Sequence, residues 1–262
     1  MKILEMKGVS VVRNGKRILD SISLSIEENE SVAIIGNNGS GKTTLMKLLR
    51  GEVLPYYDER SPAIMKIFGE ENQSIFDLRS RIGIVSMDLQ TQFGRETLVS
   101  EVIASGFFGS LDIFRNMEMT EDLASKVHDA AVMMGIEDLL DRTTEGLSLG
   151  EMRRALIARA LAPGPGTLVM DEPMTGLDIT MATKFRKMFD ILMRAGINLI
   201  MVTHDLADIP AGIERIVMMK DGRIFADGEK GSLLTSEVMS ELYDEPIKVE
   251  HDAGVYRMRL LM

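Results

Sequence analysis

Apolar residues at the start of the chain recur with the two-residue period of β-strands. Residues 18–26, ILDSISLSI, alternate apolar and polar side chains, and Asn14-Gly15 just before them is a hairpin turn signal. Residues 31–35, SVAII, form a short apolar run that ends at Gly36. We therefore predict an N-terminal hairpin followed by a short buried strand.

Beyond residue 40, short apolar runs are separated by segments with helical periodicity. Strands are predicted at 64–68, 82–85, 168–170 and 197–203, with a hairpin at 215–228. Helices are predicted from Lys42 to Gly51, through much of 98–162, over 180–195 and near 205–212. The tail 232–262 predicts a short helix and two strands about Ala253-Gly254. Strands that alternate with helices predict an α/β sheet, which the helical block at 98–160 interrupts.

The composition excludes several classes of protein. The chain has 262 residues, 45% of them hydrophobic, which is enough to bury a sizeable core. Its net charge of −10 counts against nucleic acid as the main partner. It has no cysteine, which excludes disulfides and thiolate chemistry and suits the cytoplasm. No run approaches the ~20 apolar residues that span a bilayer, so we expect any work at a membrane to need a partner.

A glycine-rich loop joins the strand at 31–35 to the helix at Lys42. Residues 36–44, GNNGSGKTT, fit G-x-x-x-x-G-K-[ST] between a strand and a helix. The backbone N–H groups of such a loop close around phosphate oxygens at a helix N-terminus. We predict that Lys42 binds the β- and γ-phosphates of a nucleoside triphosphate and that Thr43 is a Mg²⁺ ligand. The predicted nucleotide-binding residues of this loop are Gly36, Asn37, Asn38, Gly39, Ser40, Gly41, Lys42, Thr43 and Thr44.

Two adjacent acids end the apolar run LVMDEP at residues 168–173. Because side chains of a strand alternate between its faces, Asp171 and Glu172 can take separate roles. Asp171 suits the Mg²⁺ site through a water, and Glu172 is then free to act as general base on an attacking water. A solvated strand end is the alternative for LVMDEP taken alone, and the phosphate loop upstream favours the catalytic interpretation.

A polar turn opens a basic helix at residues 146–160, GLSLGEMRRALIARA. Ser148 offers a hydroxyl, Gly150 exposes a backbone N–H, and the helix N-terminus presents its positive end to an anion. Taken alone, the segment favours an ordinary serine N-cap on an amphipathic helix, and only its place upstream of LVMDEP in a motif order favours the anion-binding interpretation. In that interpretation Leu156, Ile157 and Leu161 belong to the core.

Taken together, these segments resemble the ATP-binding subunits of ABC transporters, over essentially the whole chain. The family's signature motif, usually LSGGQ, here reads LSLGE at residues 147–151. The resemblance implies a single ATP-binding domain with a P-loop α/β core at 1–90 and 165–225 and an antiparallel β subdomain. It also implies an inserted α-helical subdomain at 98–160 and an extension at 226–262. In such a protein Ser148 and Gly150 contact the γ-phosphate of ATP held by a second copy, in a head-to-tail dimer around two MgATP.

Two later segments extend the resemblance. Residues 174–178, MTGLD, are similar to the family's D-loop in Leu177 and Asp178. His204 follows the strand INLIMVT and matches the switch histidine that contacts the γ-phosphate, where a structural hydrogen-bonding histidine is the alternative. The catalytic set implied by the resemblance is Glu172, His204 and Lys42. His128 and His251 match no motif, and we expect both at the surface.

The chain departs from the family's pattern at three places. In the signature motif, Leu149 and Glu151 replace the usual Gly and Gln, and a carboxylate near phosphates is unfavourable unless it is paired. Arg153 or Arg154 would be its partner. Met87 stands where the Q-loop glutamine is expected, so we assign that Mg²⁺-ligand role to Gln90, three residues later.

The third departure is Arg13, which stands where the family has an aromatic residue that stacks on adenine. A guanidinium plane can stack on a base, and a solvated hairpin arginine is the alternative. With the segments SIFDLRSRIGIVSMDLQ and SGFF, this departure is similar to a single-domain subgroup labelled molybdate-transport ATPases. That label does not define the substrate.

The function that the resemblance implies is ATP hydrolysis that powers a permease. The chain would lie in the cytoplasm, held at the inner face of the cell membrane by an integral-membrane permease subunit. A permease helix would dock near Gln90, in a groove lined by residues 105–108 and Phe114, although ordinary packing explains each phenylalanine equally well. A soluble ATPase that switches protein or nucleic-acid partners is the alternative. A phosphate-loop kinase is a third possibility, but it would need an acceptor site that the sequence does not show.

Overall fold

The computed structural model describes residues 1–60, 62–71, 78, 81–108 and 119–261. These residues form two compact units, the first made of Met1–Ile75 with Phe189–Met262 and the second of Phe76–Met188. The packing therefore groups the strands at 82–85 and 167–171 with the helices of the second unit. The finer division into a core at 1–90 and 165–225 and a helical block at 98–160 stays a prediction.

An antiparallel sheet occupies the start of the first unit. Strands β1 (Lys2–Arg13), β2 (Lys16–Glu27) and β4 (Ile64–Ile67) lie in the order β2-β1-β4. Asn14 and Gly15 both have positive φ, 51° and 76°, which forms the predicted tight hairpin. The strict alternation predicted for 18–26 holds only from Ile22 to Ile26. At Ser21, whose φ is 54°, the strand bulges and places Leu19 on the buried face in place of Ile18.

Four further strands of the first unit lie in the order β7-β3-β8-β9, with bounds Asn198–Val202, Val32–Gly36, Arg215–Lys220 and Arg223–Glu229. Strand β3 is buried throughout and runs parallel to β7 and β8, while β9 returns antiparallel to β8. Helix α1 (Lys42–Leu49) follows β3. The predicted α/β arrangement is therefore present, and the carboxyl ends of the parallel strands lie at one edge.

The rest of the first unit forms the C-terminal segment. Helices α6 (Lys230–Leu233) and α7 (Ser236–Tyr243) precede a hairpin of β10 (Ile247–Asp252) and β11 (Val255–Leu260) that turns at Ala253-Gly254 as predicted. The helix predicted near 205–212 is wrong, because only a single 3₁₀ turn, Leu206–Asp208, forms there. Pro210 has no N–H to continue a helix.

The second unit combines two parallel strands with helices. Strands β5 (Ile82–Val85) and β6 (Thr167–Asp171) pair in parallel, and helices α2 (Val99–Ala104), α3 (Glu121–Met134) and α4 (Leu149–Leu161) lie between them in the chain. Helix α5 (Ile179–Arg194) begins in this unit and ends in the first. In the described part of the chain no helix has both the length and the apolar character needed to cross a membrane. Phe114 and most of SIFDLRSR lie outside the described residues.

Candidate functional site

The glycine-rich loop at 36–44 turns sharply between β3 and α1, and its glycines are required for that turn. A Cβ on Gly36 would lie 2.1 Å from the carbonyl oxygen of Met219 on β8, and a Cβ on Gly41, whose φ is 103°, would lie 2.6 Å from Leu19. Gly39 has a φ of 83° and open space around the position of its missing Cβ. The first and last glycines therefore let the loop pack against the sheet, and the middle one faces open space.

Lys42 is folded back onto this loop. Its Nζ donates hydrogen bonds to the carbonyl oxygens of Gly36, at 2.7 Å, and of Asn37, at 2.9 Å, and the side chain is buried. The ammonium group therefore lies inside the ring of the loop, where a bound anion would be screened little by water.

The loop also holds polar groups suited to a phosphate ligand. Asn37 Oδ1 and Ser40 Oγ are buried without a hydrogen-bond partner, which is costly unless a ligand or water satisfies them. Helix α1 begins at Lys42 without a side-chain cap and without an acid in its first turn, so its first N–H groups are left for an anion. Thr43 is exposed and Thr44 half-buried in that turn. These residues fit the phosphates of a nucleotide.

His204 lies at the same edge of the sheet as the phosphate loop. In the parallel pair of β3 and β7, Ile34 is opposite Val202, and the Thr203 N–H donates to the Ile34 carbonyl oxygen at 3.2 Å. The exposed His204 therefore follows β7 at about the level where β3 ends at Gly36. The Thr203 hydroxyl accepts from the Asp205 N–H at 3.1 Å, which fixes the turn on both sides of the histidine.

Arg13, by contrast, lies in the hairpin of the antiparallel sheet, where it is paired with Lys16 across the turn. It is exposed, and both of the interpretations offered for it remain predictions. His128 and His251 are exposed as expected, and the His251 ring stacks on Tyr256 with 4.1 Å between ring centroids.

In the second unit, Asp171 ends strand β6, and Glu172 and Gln90 follow the carboxyl ends of the paired strands. Val85 at the end of β5 is opposite Met170, so that Asp171 ends β6 at the level where the chain leaves β5. Gln90 lies in the 3₁₀ turn Met87–Thr91 that follows β5, and it is half-buried. The assignment of the metal-ligand role to Gln90 in place of Met87 stays a prediction.

Glu172 has an unusual backbone conformation. Its φ of 49° is in the left-handed region, which costs a non-glycine residue ~1–3 kcal/mol and persists only where the surroundings impose it. The Thr175 hydroxyl donates to the Glu172 carboxylate at 3.1 Å, and the Thr175 N–H donates to the Glu172 carbonyl oxygen at 3.3 Å. The chain therefore turns immediately after β6 and holds the carboxylate from within the turn.

Ser148 is the N-cap of α4, and Glu151 completes a capping box with it. The Glu151 carboxylate accepts from the Ser148 N–H at 2.7 Å, and the Ser148 hydroxyl accepts from the Glu151 N–H at 3.3 Å. The backbone hydrogen bond from Ser148 is the main reason that the pKa of Glu151 lies below its usual value, followed by the Ser148 side chain and then by Arg142 and Arg154.

The predicted pairing of Glu151 with an adjacent arginine is therefore wrong in its main part. Its principal partner is the N-cap, and Arg154 contributes only at a distance. Arg154 donates to the Gly135 carbonyl oxygen at 2.8 Å, and Arg153 donates to carbonyl oxygens of the turn after Glu172. The sequence contained the capping-box spacing of a serine and a glutamate three residues apart, which is a sufficient signal for this contact.

Gly150 is buried in this chain, contrary to the expectation of an exposed backbone. A Cβ at this position would lie 2.3 Å from the terminal methyl of Met181, on the first turn of α5. Leu149 is 38% exposed and lies beside Gly176 in the segment similar to the D-loop. The flexible Met181 side chain therefore occupies the space beside the Gly150 Cα.

The segment at 105–108 packs inward at its first two residues. The Ser105 hydroxyl donates to the Val102 carbonyl oxygen and accepts from Arg159 Nε, at 2.6 and 2.8 Å. A Cβ on Gly106 would lie 2.0 Å from the Arg159 carbonyl oxygen. Phe107 and Phe108 are half-buried. The groove predicted from these residues stays a prediction.

A comparison with protein families gives one description for most of the chain. Residues 19–175 match the family model described as "ABC transporter". This range includes the phosphate loop, both acids of LVMDEP and the turn at Ser148.

Individual proteins are similar over nearly the whole length. An ABC transporter ATP-binding protein of Bacillus subtilis, YlmA, is 33% identical over 94% of this chain and 93% of its own. The cobalt import ATP-binding protein CbiO of Rhodobacter capsulatus is 33% identical over 84% of this chain and 76% of its own. The solved structure of cbiO1 from Clostridium perfringens, part of the ABC transporter complex cbiONQ, is 29% identical. It covers 92% of this chain and 93% of its own, with a TM-score of 0.77.

Proposed function

Because the chain belongs to the ABC transporter family of ATP-binding proteins, we propose that it works as a head-to-tail homodimer that closes around two MgATP and powers an integral-membrane permease. It is an ATP-binding subunit of an ABC transporter and an ATPase. The observation that carries the proposal is the phosphate loop. It holds the buried ammonium of Lys42 and two buried polar atoms without a hydrogen-bond partner, in a turn whose glycines have no room for a Cβ at Gly36 and Gly41.

In this proposal the loop residues 36–44 bind the phosphates through their backbone N–H groups. Lys42 exchanges its bonds to the Gly36 and Asn37 carbonyl oxygens for bonds to phosphate oxygens. The exchange costs little solvation free energy, because the ammonium is already away from water. Arg13 would stack on the adenine.

Glu172 is the proposed general base, which takes a proton from the water that attacks the γ-phosphorus. The Thr175 hydroxyl, which donates to this carboxylate, orients it. His204 and Lys42 contribute positive charge or hydrogen bonds to the γ-phosphate as its charge develops. The side chains of Thr43, Asp171 and Gln90 would hold Mg²⁺, which neutralises charge on the phosphates when bound.

The second copy supplies Ser148 and Gly150 to the same nucleotide. Ser148 accepts a hydrogen bond with its hydroxyl oxygen in the capping box, so its O–H proton is left to donate to a phosphate oxygen. Gly150 becomes accessible when Met181 moves aside. ATP then links the two copies, because it contacts both of them only in the closed dimer.

The names of two similar proteins support a permease partner. CbiO of Rhodobacter capsulatus carries the name of a cobalt importer, and cbiO1 of Clostridium perfringens is part of a transporter complex. We propose that this chain likewise binds an integral-membrane subunit and lies at the inner face of the cell membrane through it. A soluble switch on protein or nucleic-acid partners is the function that remains if no such subunit exists.

The test compares the wild-type chain with Glu172→Gln. The wild-type chain is expected to release phosphate from MgATP, and the variant to bind ATP with similar affinity yet turn over at least ~100-fold more slowly, because an amide cannot take a proton from water. A variant with full activity removes Glu172 as the base.

The partner is tested with the same variant, tagged and locked with MgATP. We expect a stoichiometric membrane protein with several spans to co-purify from detergent-solubilised membranes. Recovery only from the cytosol, with a soluble partner or with none, would reject the permease.

A further inference from the structure

Arg153 connects the turn at Ser148 with the turn that holds Glu172, within one unit of one chain. It lies on α4, five residues after Ser148, and is only 5% exposed. Its Nη1 donates to the Pro173 carbonyl oxygen at 2.8 Å, and its Nη2 donates to the Thr175 carbonyl oxygen. Both acceptors belong to the four-residue turn that begins at Glu172.

That turn needs an external support. Glu172 has a left-handed backbone conformation that an L-residue adopts only when its surroundings impose it. Inside the turn, Thr175 bonds both the carbonyl oxygen and the carboxylate of Glu172. Two nitrogens of Arg153 donate to the Pro173 and Thr175 carbonyl oxygens of the same turn. Because a guanidinium is planar, it holds two acceptors in one fixed geometry, which a single donor cannot do.

We propose that Arg153 is a positioning residue for the hydrolysis. Through Arg153, helix α4, which begins at the turn at Ser148, sets the geometry of Glu172 in the same chain. This inference rests on the proposed function, since it takes Glu172 as the general base. When the turn at Ser148 meets the nucleotide of the second copy, a shift of α4 moves Arg153 and with it the turn at 172–175. Binding at one site of the dimer thereby adjusts the base at the other.

The side chain of Arg153 does not contact nucleotide in this assignment, so its loss affects turnover and leaves ATP binding intact. Misplacement of a catalytic group by ~1 Å costs up to about 100-fold in rate. Arg154, the next residue of the same helix, is a matched control. Within the described residues it donates to the Gly135 carbonyl oxygen and makes no hydrogen bond to the turn after Glu172.

The experiment measures kcat and KM for ATP hydrolysis in the wild-type chain and in Arg153→Gln, Arg153→Lys and Arg154→Gln. Binding of ATP is measured separately in a Glu172→Gln background. We expect kcat to fall at least ~10-fold in Arg153→Gln and less in Arg153→Lys, which keeps the positive charge and one donor nitrogen. The Kd for ATP should stay within about twofold of the wild-type value in both variants. Arg154→Gln should keep kcat within about twofold of the wild type.

Three results would overturn the proposal. The first is wild-type kcat in Arg153→Gln. The second is a parallel loss of binding and kcat in both Arg153 variants, which would make Arg153 an ordinary residue of the fold. The third is an equal loss of kcat in Arg154→Gln. If the wild-type chain does not hydrolyse ATP at all, the proposed function itself is rejected. This result is distinct from the three above, because wild-type activity is measured before any variant is compared with it.

Discussion

Substitution of two glycines in the phosphate loop provides a matched test of how the loop is built. Gly36→Ala places a Cβ 2.1 Å from the Met219 carbonyl oxygen, whereas Gly39→Ala meets nothing within 4 Å. Both residues have positive φ, 152° and 83°. The two variants therefore both add backbone strain, and only the first adds a collision with the neighbouring strand.

The magnitudes follow from these distances. Alanine at Gly39 costs the left-handed conformation alone, ~1–2 kcal/mol of unfolding free energy. At Gly36, real Cβ atoms essentially never approach closer than 3.0 Å, so the Met219 carbonyl must move by about 0.9 Å. Gly36 and Met219 are opposite each other in the β3–β8 pair. The Met219 carbonyl is part of the strand backbone and cannot move aside as the end of a flexible side chain can. Overpacking of this kind adds ~1–3 kcal/mol to the strain, for a total of ~2–5 kcal/mol.

The assay is urea unfolding of the nucleotide-free chain, followed by circular dichroism, with the wild type alongside. We expect Gly36→Ala to lose ~2 kcal/mol more stability than Gly39→Ala, at a similar slope against urea. Equal losses in the two variants, or a Gly36→Ala chain within ~0.5 kcal/mol of the wild type, would refute the idea that the loop is packed against β8.

Three further predictions concern side chains of the site and its support. Lys42→Met should abolish ATP binding and also destabilise the nucleotide-free chain by ~1–3 kcal/mol, because two buried carbonyl oxygens lose their donor; an unchanged urea midpoint would contradict this. Glu151→Gln should cost ~0.5–1 kcal/mol at pH 7, and the difference from wild type should vanish on acidification. The pKa of Glu151 is lowered in the folded chain, so its stabilisation is full above its ordinary pKa and is lost as the pH falls through the lowered one. Because glutamine can still accept from the Ser148 N–H, a difference that persists at pH 2 in urea unfolding would argue against the charge of Glu151 as its source. Gly106→Ala should lower the thermal midpoint by several degrees, since its Cβ would meet the Arg159 carbonyl oxygen; a calorimetric midpoint equal to the wild type would show that the turn at 105–107 is not in contact with α4 there.

The sequence was sufficient for those parts of the site that one continuous segment determines. The phosphate loop combines a buried strand, glycines at fixed spacing and a following helix, so GNNGSGKTT predicts both its conformation and its ligand. The hairpin at Asn14-Gly15 and the strand end at Asp171 are of the same kind. Each depends on neighbours within a few residues.

Contacts between distant segments were not predictable in the same way. The position of Met181 over Gly150 depends on where α5 packs, and the bonds from Arg153 to the turn after Glu172 join residues about 20 apart in the chain. The sequence offered Arg153 or Arg154 as the partner of Glu151, because it does not show in which directions two adjacent arginines of a helix point. Arg153 instead bonds the turn after Glu172. The bulge at Ser21 likewise places Leu19 on the buried face of the sheet, and no glycine or proline at that position indicates the bulge in the sequence.

The most direct test of the central claim is the mass of the Glu172→Gln chain with and without MgATP, measured by light scattering. We expect 29.1 kDa without nucleotide and twice that mass with it, and we expect Ser148→Arg in the same background to bind ATP but stay at the lower mass. A chain that binds ATP and remains a monomer, or a Ser148 variant that still dimerises, would contradict the claim that ATP is shared between the two copies.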